Sequence, residues 1–234
     1  MLGSMTVRAL LLTGVLVVLP GLATLAGCGT ASSPSPPLGV DELTIPTPSP
    51  DPADFVAEVD NPWLPLEVGD TWVYAVTDAD GTHRMTVTVE PGPEVAGVAT
   101  TSRVSTEPSG EVTDWFAQDD DGNVWWLGRE GSWRAGEGGA EAGIAMLARP
   151  RVGDGYRMAY AEGVVEDTAR VASLEGSAEV AAGAYDELLV VEQRSALDPG
   201  ATGELAYARD VGLVEASVVS GSYRTVRLVS GPDS

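Results

Sequence analysis

The sequence contains no lysine, a single cysteine (Cys28) and a single histidine (His83) among its 234 residues. All 13 basic residues are arginine, and with 35 Asp and Glu residues the formal net charge is −22. This charge argues against nucleic acid as a partner, because a nucleic-acid surface must be basic to displace counterions from phosphate. It argues equally against attraction to anionic lipid headgroups. One cysteine and one histidine exclude an intrachain disulfide, a cysteine zinc site and a two-histidine metal motif.

Several motifs of common enzyme classes are also missing. The sequence has no phosphate-binding P-loop, no dinucleotide-binding glycine fingerprint, no His-Glu-x-x-His and no Gly-x-Ser-x-Gly. His83 therefore lacks a motif-placed serine, and the simpler interpretation is a histidine at a strand end beside Asp78 and Asp80. Hydrophobic residues make up 44% of the chain, which is typical of a sequence that folds around a core.

The amino terminus has the layout of a secretory signal. Arg8 precedes an apolar run, Ala9–Ala26. The run is just long enough for a membrane-spanning helix, but Pro20-Gly21 and the small residues after it favour a signal peptide.

Leu25-Ala26-Gly27-Cys28 resembles the lipobox of bacterial lipoproteins. In that family a diacylglycerol is transferred to the cysteine sulfur, the signal is cut before the cysteine, and the new amino terminus is acylated, for example with palmitate. The resemblance implies a signal peptide over residues 1–27 and a lipid anchor on Cys28. It also implies a place on the outer face of the cytoplasmic membrane or at the cell surface. The alternative is a free Cys28 thiol.

A tether is predicted for residues 28–53, which are rich in Pro, Ser and Thr. Seven prolines between residues 29 and 53 favour extended polyproline II, so this stretch could span up to ~75 Å at ~3.1 Å per residue. The alternative is a disordered tail without a spacer role. Without the signal, 12 arginines and 35 acids leave a charge of −23.

Residues 54–231 predict one all-β domain. Short apolar runs are bounded by Gly, Pro and Asp, and no long helical period is present. A hairpin is predicted from 71–76 and 84–90, because Met85, Val87 and Val89 alternate with polar residues. Further strand candidates are 95–105, 111–118, 123–128, 156–161, 164–172, 185–193, 204–209, 213–219 and 222–229.

These strands predict a single antiparallel β-sheet or a partly open barrel or sandwich. The Gly-rich residues 131–154 are predicted to form one long loop, with a helical turn near Ala140–Ala148.

The segment Asp114-Trp-Phe-Ala-Gln-Asp-Asp-Asp-Gly-Asn-Val-Trp-Trp126 resembles the "DWYAQDxxGNVWYFGE" hairpin of an uncharacterised family of exported and lipid-anchored bacterial β-rich proteins. The likeness extends over roughly residues 61–215 and departs from the family pattern at Arg129, Ala159 and Glu204. Because the family has no assigned activity, the resemblance implies location and fold but no function. It is consistent with 111–118 pairing with 123–128.

A ligand platform is one interpretation of the aromatic residues. Consecutive Trp125 and Trp126 must face opposite sides of a strand. One of them would be core, and the other would face solvent or be covered by residues 131–154. An exposed ring could bind a small apolar or carbohydrate ligand, together with Asp114, Trp115 and Trp133. The alternative is that the six tryptophans fill a large core.

Asp119, Asp121 and Asn123 suggest two interpretations. They could bind calcium, with Asp114 helping and Glu130 as the twelfth position of a loop, although the glycine is misplaced for an EF-hand. The simpler interpretation is a tight hairpin turn, which Asp, Gly and Asn all favour.

The preferred function is a non-catalytic binding or envelope-associated module. The main alternative is a surface hydrolase with a carboxylate pair, in which Glu162 and Glu166 share one strand face. Further candidates for that pair are Asp167, Glu187 and Glu192. A calcium-stabilised structural domain is the third interpretation, and no other cofactor is predicted.

Overall fold

The computed structural model describes residues 51–220 and 222–232. The predicted signal peptide, Cys28 and most of the tether lie outside these residues.

The described residues form fourteen β-strands after a short 3-10 turn at Pro52–Asp54, and they contain no α-helix. The all-β prediction is confirmed. In chain order the strands are β1 (Phe55–Val56), β2 (Thr71–Asp78), β3 (Gly81–Val95), β4 (Val98–Glu107), β5 (Gly110–Asp119), β6 (Val124–Arg129), β7 (Trp133–Arg134), β8 (Glu141–Met146), β9 (Gly155–Ala161), β10 (Val165–Val180), β11 (Gly183–Ser195), β12 (Asp198–Ala208), β13 (Gly212–Ser220) and β14 (Ser222–Ser230).

Over residues 51–220 and 222–232 no helix has the length and hydropathy needed to cross a bilayer.

Twelve of the strands close into an antiparallel barrel. Their order around the ring is β5-β4-β3-β2-β14-β13-β12-β11-β10-β9-β8-β6, and β6 pairs with β5 to complete it. The two shortest strands, β1 and β7, add to β5 and β6. The barrel form of the prediction is therefore the one observed, and closure leaves few unpaired strand edges.

The alternation of apolar and polar residues in the sequence determines which side chains face the inside of the barrel. Met85, Val87 and Val89 of β3 are buried, while Arg84 and Glu90 on the other face are exposed. On the neighbouring β2 the buried residues are Trp72, Tyr74 and Val76. Because side chains alternate along a strand, both strands present their apolar face to the interior.

Residues 131–154 are not a long loop, and the helical turn near Ala140–Ala148 is wrong. They contain β7 and β8, and β8 is part of the barrel wall between β6 and β9. Gly143 allows β8 to pack closely against β9, because a Cβ at this position would lie 2.5 Å from the carbonyl oxygen of Arg157. The other glycines of this segment lie outside β7 and β8.

One end of the barrel is closed by residues 59–66, the plug segment. Its Asn61 is 1% exposed, and the backbone N–H donates to Gln118 Oε1 at 2.8 Å. The Asn61 amide donates to the carbonyl oxygens of Gly122 (2.9 Å) and Leu147 (3.2 Å), and its oxygen accepts from the backbone N–H of Trp63 (2.9 Å). One buried amide thus fixes the plug segment to β5 and to the ends of β6 and β8.

Candidate functional site

A cavity of about 170 Å³ lies inside the barrel, next to the plug segment. We call it the lumen. Most of its wall is apolar or aromatic, contributed by Leu64, Pro65, Leu66, Trp72, Tyr74, Val87, Phe116, Trp126, Ala145, Met158, Leu205, Tyr207, Gly212 and Leu213. Four polar side chains complete it, namely Arg103, Asp114, Arg129 and Gln193.

Three aromatic side chains of the lumen are held by their own polar atoms. The indole N–H of Trp72 donates to the carbonyl oxygen of Val211 at 2.8 Å, and that of Trp126 to Gly128 at 2.9 Å. The Tyr74 hydroxyl donates to the Leu213 carbonyl oxygen at 3.1 Å. These bonds satisfy the buried donors and leave the ring faces as the surface of the lumen.

Asp114 and Arg129 form a two-point ion pair across β5 and β6. Arg129 Nε lies 2.8 Å from Asp114 Oδ1, and Nη2 lies 3.2 Å from Oδ2. The guanidinium carbon of Arg129 is also 5.2 Å from the centre of the Trp126 ring. The Asp114 side chain is 7% exposed and that of Arg129 is 42% exposed. The pair therefore runs from the lumen wall towards solvent.

The environment of Arg103 differs from that of Arg129. It pairs in register with Asp114 across β4 and β5, but the Asp114 carboxylate is already bonded to Arg129. Within the described part of the chain, the half-buried Arg103 guanidinium makes no hydrogen bond, ion pair or cation–π contact. It is a charged donor on the lumen wall without a protein acceptor among these residues.

The tyrosines beside Arg103 remain neutral phenols. Burial raises the pKa of Tyr207 to about 12, and the positive charge of Arg103 only partly opposes that rise. Burial also raises the pKa of Tyr74, and the positive charge of Arg103 opposes that rise as well. The charge of Arg103 is therefore not neutralised by a tyrosinate.

Of the predicted ligand residues, Asp114 and Trp126 line the lumen, while Trp115, Trp125 and Trp133 do not. Of the two predicted environments for the second indole, cover by residues 131–154 is the one observed for Trp126, which packs against Trp133. Neither Trp125 nor Trp126 faces solvent, since all six tryptophans lie among the described residues and are at most 8% exposed. Trp125 and Trp126 do lie on opposite faces of β6, as alternation predicted. The aromatic side chains mostly fill a core, and the lumen lies within it.

The other three rings pack around the hairpin of β5 and β6, whose predicted pairing is confirmed. Trp125 packs edge-on against Phe55 at 6.3 Å between ring centres, on the outer face. Trp133 packs edge-on against Trp126 at 5.2 Å.

Trp115 lies over Gly128, where an added Cβ would be 2.8 Å from the indole. Residue 128 must therefore be small for this packing to form.

The predicted calcium residues form a turn. The Asp119 carboxylate accepts hydrogen bonds from the backbone and amide of Asn123 (2.7 and 3.0 Å) and from the indole of Trp125 (2.8 Å). Asp121 is exposed. In residues 51–220 and 222–232 no group of three His, Cys, Asp or Glu side chains is placed to hold a metal ion. Asp119 organises the hairpin, and the donors around it would compete with a cation.

The structure does not bring Glu162 and Glu166 together on one strand face. β9 ends at Ala161 and β10 begins at Val165, so Glu162 lies in the turn. Glu166 Oε1 accepts from the Gly163 backbone at 3.0 Å.

The remaining carboxylate candidates have separate environments. Asp167 accepts from Gln193 at 2.9 Å, Glu192 pairs with Arg170 at 3.1 Å, and Glu187 is exposed with a φ of 53°. None of the five lines the lumen.

His83 belongs to an ionic cluster at the barrel end opposite the plug segment. Its Nε2 lies 3.0 Å from Glu107 Oε2, and Arg224 contacts both Glu107 (2.5 Å) and Asp78 (3.3 Å). Burial tends to raise the pKa of Glu107, but the hydrogen bonds from His83 and Arg224 outweigh it and lower that pKa. The cluster joins β2, β3, β4 and β14.

A wider groove of about 1020 Å³ lies on the other side of the plug segment. Among the described residues its charged lining is entirely acidic, comprising Glu58, Asp60, Glu67, Asp70 and Asp210. Burial and the charge of Glu67 raise the pKa of Asp70. The groove therefore repels anions, in contrast to the lumen, whose charged lining is two arginines and one aspartate.

No protein-family model matches the chain, and no curated protein matches it. Two solved structures are similar. One is a provisionally assigned exported protein with a YmcC-like fold from Bacteroides fragilis NCTC 9343, at 13% identity and a TM-score of 0.43, covering 73% of this chain and 99% of that one.

The other is a provisionally assigned lipoprotein from Parabacteroides distasonis ATCC 8503, at 16% identity and a TM-score of 0.40, covering 72% of this chain and 97% of that one. The resemblance of the Asp114–Trp126 segment to an exported family stays a prediction.

Sequence reasoning missed Arg103 and Tyr207 as lumen residues. One local feature pointed to Arg103, because it alternates with the buried Ser102 and Val104 on β4. A charged residue that alternates with two buried ones faces either solvent or the interior of a barrel. Only the closure of the barrel shows which of the two applies to Arg103.

Proposed function

We propose that this chain is a lipid-anchored, extracytoplasmic binding module that holds a small ligand in its lumen. The observation that supports binding is a preformed cavity of about 170 Å³, with the plug segment at one side and fixed aromatic rings in its wall. Small-molecule sites share this combination of apolar walls and few polar groups. Protein interiors are otherwise close-packed, and an unfilled void lowers stability.

The size of the lumen limits the ligand. An apolar cavity of about 150 Å³ holds one benzene molecule. The proposed ligand therefore has a body about as large as a single six-membered ring, either aromatic or apolar.

Binding can be tested with benzamide as a neutral single-ring probe. It should quench tryptophan fluorescence, because Trp72 and Trp126 line the lumen. Leu205→Phe should fill the space and abolish the quench, and Leu213→Phe is a second variant should Leu205→Phe not fold. Leu147→Phe, a half-buried leucine outside the lining, is the matched control and should bind normally. A folded Leu205→Phe variant that binds like wild type would refute the lumen as the site.

The location is supported by the apolar run Ala9–Ala26, the lipobox at Leu25–Cys28 and the Pro-rich residues 28–53. Two or more acyl chains on one cysteine suffice for stable anchoring. Cys28→Ser should release the protein from the membrane fraction. Intact-mass analysis showing an unmodified Cys28 in membrane-bound wild type, or retention of residues 1–27, would contradict the anchor.

A further inference from the structure

We infer that the ligand of the lumen is a small carboxylate and that Arg103 binds its carboxylate group. The inference rests on the proposed function, since it concerns the chemistry of the same cavity. Its ligand class is a single-ring acid of the size of benzoate, with the ring among the aromatic side chains and the acid group at Arg103.

Arg103 differs from Arg129 and Arg224 in its contacts. Arg129 is bonded at two points to Asp114, and Arg224 is bonded to Asp78 and Glu107. Arg103 lines the lumen but makes no such contact within the described residues. A guanidinium presents several donors in a planar fork that matches a carboxylate, so a free one in a cavity points to an anionic ligand.

The local charge of the lumen also favours an anionic ligand. In the lumen lining, two arginines and one aspartate leave a net charge of +1, in a chain whose net charge is −22. The neighbouring Tyr74 and Tyr207 are neutral phenols with raised pKa values, so they do not cancel it. Ion pairs strengthen away from bulk water, and a half-buried site between aromatic walls offers such an environment.

The lumen is poorly suited to a sugar, the other ligand class that the aromatic residues suggested. A sugar needs several free acceptors and donors around its ring. In this lumen both oxygens of Asp114 are bonded to Arg129, and the Gln193 amide nitrogen donates to Asp167 at 2.9 Å. Among the described residues Arg103 is the charged side chain of the lining that has no partner, so an apolar ring with one acid group fits the lining better than a polyol.

The net negative charge of the whole chain opposes the approach of an anion to the lumen. The long-range field of a chain at −22 repels benzoate, and salt screens that repulsion over a Debye length of about 10 Å at 0.1 M. Affinity for an anion must therefore come from the local contact with Arg103. Association of benzoate should accelerate as ionic strength rises, whereas that of benzamide should not.

The test compares benzoate with benzamide, two probes of equal size that differ in charge, at pH 7. It uses the chain without the predicted signal peptide (residues 28–234, the mature chain). Wild type should bind benzoate about 10- to 100-fold more tightly than benzamide, the range expected for hydrogen bonds to a charged group. Arg103→Gln should remove that preference while benzamide binding stays within about twofold. Arg170→Gln, which makes the same charge change on an exposed arginine paired with Glu192, should keep the preference.

Three results would overturn the inference, and the first two are distinguishable from the third. Equal affinity of wild type for benzoate and benzamide, or an unchanged benzoate preference in Arg103→Gln, overturns acid recognition and leaves the lumen as a binding site. Failure of both probes to bind overturns the proposed function together with the inference.

Discussion

Arg103 and Asp114 face each other in register on neighbouring strands, yet the carboxylate of Asp114 bonds to Arg129 and not to Arg103. The two-point contact to Arg129 uses both carboxylate oxygens. Because Asp114 pairs with Arg129, the positive charge of Arg103 remains on the wall of the aromatic lumen. The proposal of a carboxylate ligand follows from this charge.

Asn61→Ala should destabilise the domain by about 2–4 kcal/mol, measured by urea unfolding. The substitution removes bonds to the carbonyl oxygens of Gly122 and Leu147 and to the backbone N–H of Trp63. Each hydrogen bond lost in a buried site lowers the free energy of unfolding by about 1 kcal/mol, and polar groups left without a partner lower it more. The slope of the urea transition should not change. A loss below about 1 kcal/mol would show that water replaces the Asn61 amide and that the plug segment is held by other contacts.

Trp125→Ala and Trp126→Ala should each destabilise the domain by about 3–5 kcal/mol, because both rings are buried although they face opposite sides of β6. Only Trp126→Ala should also change binding in the lumen. Chemical denaturation of the two variants measures the first effect, and probe titration measures the second. A variant as stable as wild type would mean that its ring is exposed in solution.

Stability should fall at alkaline pH through Tyr207. Its pKa is raised to about 12 by burial, whereas an unfolded tyrosine ionises near pH 10. The neutral phenol therefore contributes stability that is complete below pH about 10 and is lost as the pH rises towards 12. Tyr207→Phe should flatten this part of the stability profile. Tyr223→Phe, at a tyrosine that is 61% exposed, is the control and should leave the profile as in wild type.

Calcium should stabilise the chain no more than magnesium does at equal ionic strength. The Asp119 carboxylate is occupied by donors from Asn123 and Trp125, so it is not arranged to take up a cation. Both salts should raise the melting temperature, because they screen the repulsion within a chain at −22. A distinctly larger effect of calcium, abolished by Asp119→Asn, would restore the metal interpretation of this turn.

Most strands could be predicted from the sequence because their alternation is local. Met85, Val87 and Val89 specify one face of β3 without reference to the rest of the chain. The sequence did not predict β8, because Gly143 is read as a loop residue until β9 is known to pass close to it.

Closure of the barrel could not be predicted, since it depends on pairings between strands far apart in the chain. The pairing of Tyr74 with Leu228 is one example. For the same reason the lumen could not be predicted from the sequence. Arg103 lies on a polar strand face that becomes an interior wall only when the ring closes.

The central claim, that the lumen binds a ligand, is tested most directly by NMR of the six tryptophan indole N–H groups in the ¹⁵N-labelled mature chain, with signals assigned from Trp→Phe variants. Addition of benzoate should shift the signals of Trp72 and Trp126, which line the lumen. The signal of Trp125, which packs on the outer face against Phe55, should stay in place. Saturating shifts at Trp72 and Trp126 alone are the predicted result. Unchanged signals at both, or shifts at Trp125 without them, would contradict the account.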